Sequence, residues 1–239
     1  NEHLVELKRM IERSIPGIHV VHKPDVWKLQ CSYEGATVKI EVNGTKRGII
    51  GSTQDMMLCT KAQEEFNMAC KARTVSFSQL YGGKITAALS RQHPRDLFDC
   101  KYMEIESFAD VKDGFMLCLL GSDKPIIESL NPHQIDQSDA LEKQFEGMSD
   151  IPFSYFDYEV ARHNLVQMVN DNLTEADKRF LISYEKGEPE WSLCSSGYLG
   201  DYPSVKWKLQ NINKLRNTNT KKFEESIAKL TDYFGLKMH

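Results

Sequence analysis

The chain has 239 residues, a length that suits one large or two small domains with buried cores. Hydrophobic residues make up 41% and aromatic residues 10% of the sequence, which excludes a fully disordered chain. The formal net charge of −4 excludes a general basic footprint for nucleic acid, so such a site would have to be a local patch. The sequence has no apolar run of about 18 residues and no apolar signal segment at its start, so we expect a soluble, cytoplasmic protein without a membrane partner.

The first part of the chain predicts one helix followed by three strands. Apolar residues recur at helical spacing over 1–15, and a Pro-Gly pair ends the run. Strand-like stretches follow at 18–22, 26–33 and 36–43, with short turn signals between them. Alternation in the third stretch places Glu41 on the face opposite the core.

Residues 76–92 predict a helix after a segment, 56–76, whose pattern is mixed. Ser76 or Ser78 can serve as the N-cap of this helix. The glycine pair at 82–83 weakens the helix by about 1 kcal/mol per residue relative to alanine. Such a cost is usually offset by close backbone packing or by the approach of a ligand, and the sequence leaves both open.

A proline interrupts the chain directly after this helix, in the stretch LSRQHPRDLFDC at 89–100. Pro94 disfavours helical geometry at His93 and is well suited to the first position of a new helix. The sequence therefore predicts a helix end, a tight joint and a second helix over 94–105.

The rest of the chain predicts helices at 107–120, 136–148, 157–171, 174–186, 203–217 and 219–235. Thr174 and Asp177 resemble a capping box, and 188–203 predicts an irregular loop. We expect the aromatic side chains of Trp191, Tyr202 and Trp207 to pack in the core or the loop rather than stack on bases. A sheet-containing first part and a helical second part predict an α+β fold.

Several charged residues around the joint are candidates for chemistry. Lys84 and Arg91 lie about 20° apart around a helix, so both can point at one site. Arg95 would join them if the helix continued through the proline. Such a cationic cluster suits the oxygens of a triphosphate, and the alternative is a solvated helix face.

Two aspartates follow on the second helix, and two interpretations remain open for them. Asp96 and Asp99 lie in its first turns, where the helix dipole favours carboxylates, and Arg95 can pair with Asp99 at i+4. Alternatively, the two carboxylates hold Lys84 and Arg91 in place, or contact a metal.

Glu41 is a candidate magnesium ligand, because hard cations prefer carboxylate oxygens. The alternative is an ordinary exposed acid. The stretch GSTQD at 51–55 resembles a phosphate cradle but lacks a second aspartate two residues on, so we expect a turn there.

Four blocks of sequence together resemble the AbiEii/AbiGii toxin type of nucleotidyltransferase, an abortive-infection and toxin–antitoxin branch of the polymerase-β-like nucleotidyltransferase superfamily. The blocks are VKIEVN (38–43), SFSQLYGGKITAALSRQHPRDLFDCKYM (76–103), LTEADKRFLISYEKGEPEW (173–191) and YPSVKWKLQNINKL (202–215).

The resemblance implies a partial nucleotidyltransferase core with a small mixed sheet over 1–105 and a helical domain over 106–239. It implies Mg²⁺-dependent transfer of a nucleotidyl group from a nucleoside triphosphate to RNA or another acceptor, and an antitoxin as partner. By position, Glu41 would hold metal, and Glu41, Lys84 and Asp96 would be catalytic. The nucleotide-binding residues would be Lys84, Arg91, Arg95 and Asp99.

One part of the family pattern is missing from the sequence. Members carry a Gly-Ser turn and an Asp-x-Asp pair about 50 residues before the acid that corresponds to Glu41. No Asp-x-Asp pair occurs in this chain. We therefore expect these residues to lack the first catalytic segment and to have little or no transferase activity. The rival hypothesis is a non-catalytic relative that binds protein or RNA.

Overall fold

The structure is a computed structural model, and it describes residues 1–42 and 47–236. The chain divides into two compact units, residues 1–46 and residues 47–239. None of the helices in the described ranges combines the length and the apolar composition needed to cross a bilayer.

The first unit is a helix with a three-stranded antiparallel sheet. Its elements are α1 (Glu2–Ser14), β1 (His19–Lys23), β2 (Lys28–Tyr33) and β3 (Ala36–Glu41), in the sheet order β1-β2-β3. Leu4 from the helix packs on Val20, Leu29 and Cys31 from the sheet, which form a small core. The predicted helix and three strands are confirmed, but two strand boundaries differ. The second strand begins at Lys28 rather than at residue 26, because Pro24–Val26 form a 3₁₀ turn. The third ends at Glu41, and residue 43 of its predicted range lies outside the described residues.

The second unit contains a two-stranded sheet and the remaining helices. Its elements are β4 (Gln54–Met57), α2 (Thr60–Glu65), β5 (Lys71–Thr74), α3 (Phe77–Arg91), α4 (Pro94–Lys101), α5 (Lys112–Leu120), α6 (Ile126–Leu130), α7 (Ser138–Gln144), α8 (Tyr155–Asp171), α9 (Glu175–Glu185), α10 (Pro203–Thr218) and α11 (Thr220–Tyr233). The α+β class is confirmed. The segment with the mixed pattern is an antiparallel strand pair with a short helix between its strands. The five residues of α6 are too few for a helical period to show in the sequence.

One continuous hydrophobic core contains residues from the helices α3, α4, α5, α6, α8, α9, α10 and α11. Helices α3 and α5 cross closely, because a Cβ atom at Gly82 would overlap the backbone of Phe115 and one at Gly114 would overlap that of Ser78. Close backbone packing is therefore the reason for Gly82, one of the two explanations that the sequence left open. The expected domain boundary at residue 105 stays a prediction.

Asp177 anchors the start of α9 inside this unit. Its carboxylate accepts hydrogen bonds from the Thr174 backbone and hydroxyl, which confirms the predicted capping box. Lys112 Nζ lies 2.5 Å from Asp177 Oδ2, and Ser195 Oγ lies 2.6 Å from Oδ1. Burial pushes the pKa of Asp177 upwards, but the hydrogen bonds from Lys112, Ser195 and Thr174 outweigh it, so the pKa lies below its ordinary value.

Candidate functional site

The joint between α3 and α4 has the form that its sequence predicts. Ser76 caps α3 by accepting a hydrogen bond from Gln79 N, and α4 begins at Pro94. His93 caps α4, since its Nδ1 accepts a hydrogen bond from Arg95 N. The neutral ring then carries its proton on Nε2, which donates to Gln144 Oε1 at 3.1 Å. Helix α4 ends at Lys101, four residues before the predicted end.

Gln92 fixes the direction of the chain between the two helices. Its φ of 52° is left-handed, a geometry that costs a residue with a side chain about 1–2 kcal/mol. The buried Gln92 is held by Tyr158 Oη, which donates to its carbonyl, by Arg162, which donates to Oε1, and by its own Nε2, which donates to the His133 carbonyl. These hydrogen bonds compensate for the strained backbone and hold the joint in one shape.

Two ion pairs connect α3 to α4. Lys84 Nζ lies 2.7 Å from Asp99 Oδ2, and Arg91 Nη2 lies 2.7 Å from Asp96 Oδ1. The two carboxylates therefore hold Lys84 and Arg91, which is one of the two arrangements that the sequence left open. Arg95 does not pair with Asp99, and its exposed side chain forms no ion pair within the described ranges.

The two oxygens of Asp96 are in different environments. Oδ1 pairs with Arg91, whereas Oδ2 is buried and has no hydrogen-bond partner among the described residues. The Asp96 side chain is 12% exposed and that of Arg91 is 61% exposed, so the carboxylate lies beneath an accessible guanidinium. A buried carboxylate oxygen without a partner is costly, so Asp96 is less well satisfied by the fold than a structural carboxylate would be.

Cys100 lies next to these acids and is chemically inert at neutral pH. Burial, together with the negative charges of Asp99 and Asp96, raises the pKa of its thiol to about 12. The thiolate is the reactive form of cysteine, so Cys100 is a packing residue and not a nucleophile.

Glu41 lies in the first unit, at the end of β3. It is directly opposite Lys28 in the sheet register, and its Oε1 lies 2.5 Å from Lys28 Nζ. The hydrogen bond and the charge of Lys28 lower the pKa of Glu41. Its side chain is 57% exposed, as expected for the face opposite the core.

The described residues do not by themselves form the magnesium site that the resemblance implies. Among residues 1–42 and 47–236, no three His, Cys, Asp or Glu side chains come together as ligands. Glu41 is engaged by Lys28 rather than directed at a second acid. The role of Glu41 as a metal ligand stays a prediction.

The sequence did not predict the contacts of two lysines behind α3: Lys208, which is buried, and Lys124, which is half-buried. Lys208 of α10 donates to the carbonyls of Ser122 and Lys124, and Lys124 Nζ donates to the carbonyl of Ser90, beside Arg91. Burial lowers the pKa of Lys208. A lysine among polar residues on a helix is usually exposed, so the sequence had no signal for this role.

The prediction for the three aromatic side chains is correct at two positions and wrong at the third. Trp191 packs on Phe180 and Tyr184, and Tyr202 packs against the core. Trp207 is 66% exposed on α10. Within the stretch 51–55, where the sequence predicts a turn, the chain bends at Gly51, and Gln54 already begins β4.

Comparison with known proteins gives one match. A family model described as the nucleotidyl transferase AbiEii toxin of a type IV toxin–antitoxin system matches residues 4–211. No curated protein and no solved structure matches the chain. The matched range contains the α3–α4 joint, β3 and most of α10. Since it also covers most of the 239 residues, this chain belongs to the AbiEii nucleotidyl transferase toxin family.

Proposed function

We propose that the α3–α4 joint binds the phosphates of a nucleoside triphosphate and serves the transfer of a nucleotidyl group to RNA or another acceptor. Lys84, Arg91 and Arg95 contact the phosphates, and Asp99 and Asp96 position the first two. The family places this activity in a toxin, so a cognate antitoxin is the expected protein partner. The observation that carries the proposal is the set of accessible cations at the joint: Lys84 and Arg91 are held by ion pairs to α4, and Arg95 is exposed without an ion pair within the described ranges.

The energetics of the ion pairs favour exchange with phosphate. The side chains of Lys84 and Asp99 are 38% and 40% exposed, and ion pairs of this kind contribute only about 0–1 kcal/mol. A triphosphate can therefore share these cations at little cost. Arg91 offers two parallel N–H donors to phosphate oxygens, and Arg95 adds a third cation from the first turn of α4.

The joint also has the rigidity that phosphate positioning requires. Gln92 is held from α8 by Tyr158 and Arg162, so the backbone that carries Arg91 and Arg95 has a fixed shape before a ligand arrives. A preformed site loses less conformational entropy on binding. This supports a binding role for the joint beyond that of a connection between helices.

Transfer requires more than the joint. Two metal ions usually stabilise the attacking and leaving oxygens in this chemistry, and they need several carboxylates. The 239 residues contain no Asp-x-Asp pair, so we expect them to bind nucleotide but to transfer weakly or not at all. Dependence on Mg²⁺ and the catalytic roles of Glu41, Lys84 and Asp96 are parts of the same proposal.

A transfer assay tests this proposal. The chain, and a version extended by any coding sequence in frame upstream, are incubated with each labelled nucleoside triphosphate, Mg²⁺ and total RNA. We expect label in RNA with the extended version, and its loss in Lys84→Ala. Lys101→Ala is the matched control, because Lys101 also forms a 2.7 Å ion pair, with Asp157. An absence of label with both versions and every nucleotide contradicts the proposed transfer.

The second candidate is a non-catalytic module that binds a nucleotide, RNA or an antitoxin. The ion pair of Glu41 with Lys28 favours it, because this acid is already neutralised by a neighbour on the sheet. Nucleotide binding without transfer in the same assay supports this candidate.

A further inference from the structure

Positive charge is concentrated in α10 and the start of α11. Residues 202–223 contain six Lys and Arg residues and no Asp or Glu, in a chain whose acids outnumber its bases by 34 to 30. Of the six, Lys208 is buried and Arg216 pairs with Glu188, so four lysines lie at the surface. Local charge of this kind is the electrostatic footprint of a polyanion site, even where the whole protein is acidic.

The two faces of α10 have different roles. Ser204, Val205, Lys208 and Ile212 are buried against the unit. Trp207, Asn211, Lys214 and Thr218 follow at spacings of three and four residues, so they form one stripe, and all four are exposed. We call these four residues the α10 stripe.

Trp207 has no packing role that accounts for it. Its 66% exposure is high for an indole, and it takes part in none of the aromatic pairs within the described ranges. A single exposed apolar residue is common on protein surfaces. An exposed tryptophan between amides and lysines, however, also offers a π-face on which an unpaired base can stack.

The charges around the α10 stripe are available to a ligand. Lys214 and Lys222 form no ion pair with any residue in 1–42 or 47–236. Lys206 pairs with Asp201 at 2.9 Å, but both side chains are more than half exposed, so this pair contributes little and exchanges easily.

Neutral polar groups complete the surface. The side-chain amides of Gln210, Asn211 and Asn217 are exposed, and none makes a hydrogen bond to another described residue. Each amide can both donate and accept, which suits base edges and the ribose 2′-hydroxyl.

We propose that the α10 stripe, with Lys222 at the start of α11, binds single-stranded RNA: Trp207 stacks on a base, the lysines contact phosphates and the amides contact bases and ribose. The inference extends the proposed function by giving an RNA acceptor its binding surface. It does not depend on catalysis. Two hydrogen bonds connect the buried face of α10 to the α3–α4 joint. Lys208 donates to the carbonyl of Lys124, and Lys124 Nζ donates to the carbonyl of Ser90, near the end of α3.

Fluorescence anisotropy with a labelled single-stranded RNA, without nucleotide, tests this proposal on the whole chain. We expect Trp207→Ala to weaken binding about tenfold. We expect Lys214→Gln with Lys222→Gln to weaken it and to reduce the slope of log K against log salt by about 1.4. Phe156→Ala and Lys71→Gln are the matched controls, because Phe156 is 73% exposed on α8 and Lys71 is exposed on β5. Circular dichroism confirms that each variant is folded.

Three results would overturn the proposal. The first is RNA affinity in the α10 variants equal to that of the wild type, which would leave a protein partner for this face. The second is an equal loss in the control variants, which would show non-specific charge attraction. The third is tighter binding of single-stranded DNA of the same sequence. Separate titrations with nucleoside triphosphate distinguish these failures from a failure of the proposed function, since nucleotide binding at α3–α4 does not require Trp207.

Discussion

Arg91 Nη2 donates a 2.7 Å hydrogen bond to Asp96 Oδ1, while the other oxygen of Asp96 is buried without a partner among the described residues. Two other aspartates near helix starts behave differently. Asp157 and Asp177 each accept hydrogen bonds from a capping hydroxyl, a backbone N–H and a lysine. Within residues 1–42 and 47–236, Asp96 thus accepts a hydrogen bond at only one of its two oxygens, whereas Asp157 and Asp177 each accept several.

This contrast predicts that removing the Asp96 carboxylate destabilises the protein much less than removing that of Asp177. We expect Asp96→Ala to change the free energy of unfolding by less than about 1 kcal/mol, because it loses one partly exposed ion pair and removes an unsatisfied oxygen. We expect Asp177→Ala to cost about 3 kcal/mol or more, because it removes a cap and leaves Lys112 without its partner. Urea denaturation measures both. A loss in Asp96→Ala as large as that in Asp177→Ala would mean that Asp96 is a structural residue.

Asp177 also predicts how stability depends on pH. Its hydrogen bonds outweigh burial and hold its pKa below the ordinary value of 3.8, so the folded state binds fewer protons than the unfolded state near that value. The stabilisation is therefore complete above the ordinary value and declines as the pH falls through it.

The measurement is the melting temperature of the wild type and of Asp177→Asn between about pH 6 and about pH 3. We expect the difference between the two proteins to narrow as the pH falls. A difference that stays constant over this range would contradict a lowered pKa for Asp177.

The glycine pair of α3 offers a matched comparison. Gly82→Ala places a methyl group on the backbone of Phe115, so α3 and α5 must move apart, and we expect a loss of about 3 kcal/mol. At Gly83 the nearest atom to a new Cβ is Cys118 Sγ, at an ordinary 3.6 Å, so Gly83→Ala gains up to about 1 kcal/mol of helix propensity. Thermal unfolding of the two variants measures this. Equal effects would show that α3 and α5 do not depend on close contact at Gly82.

The joint was predictable from sequence because its determinants are local. Pro94 restricts its neighbour and begins a helix, and Ser76 caps the preceding one, so both boundaries follow from a few residues. The ion pairs were less predictable. The i+4 spacing predicted that Arg95 can pair with Asp99, but the packing of α3 on α4 places Lys84 next to Asp99 instead.

Contacts between distant segments could not be predicted at all. Gln92 is held by residues of α8 about 70 positions later, and Lys208 caps carbonyls more than 80 positions earlier. The exposure of Trp207 was predicted wrongly, because aromatic residues on a helix usually belong to its buried face. The α+β class and the family followed from the order of elements and from the four sequence blocks.

Calorimetric titration with each nucleoside triphosphate measures whether the α3–α4 joint is a nucleotide site. We expect the wild-type chain to bind, and Lys84→Ala with Arg91→Ala to lose affinity by about 100-fold or more, because each cation loses charge-assisted hydrogen bonds to phosphate. Lys101→Ala with Arg179→Ala is the control, since these two cations also form ion pairs, with Asp157 and Glu175. Equal affinity in the wild type and the Lys84/Arg91 variant, or no binding of any nucleotide by the wild type, would show that the α3–α4 joint is not a nucleotide site.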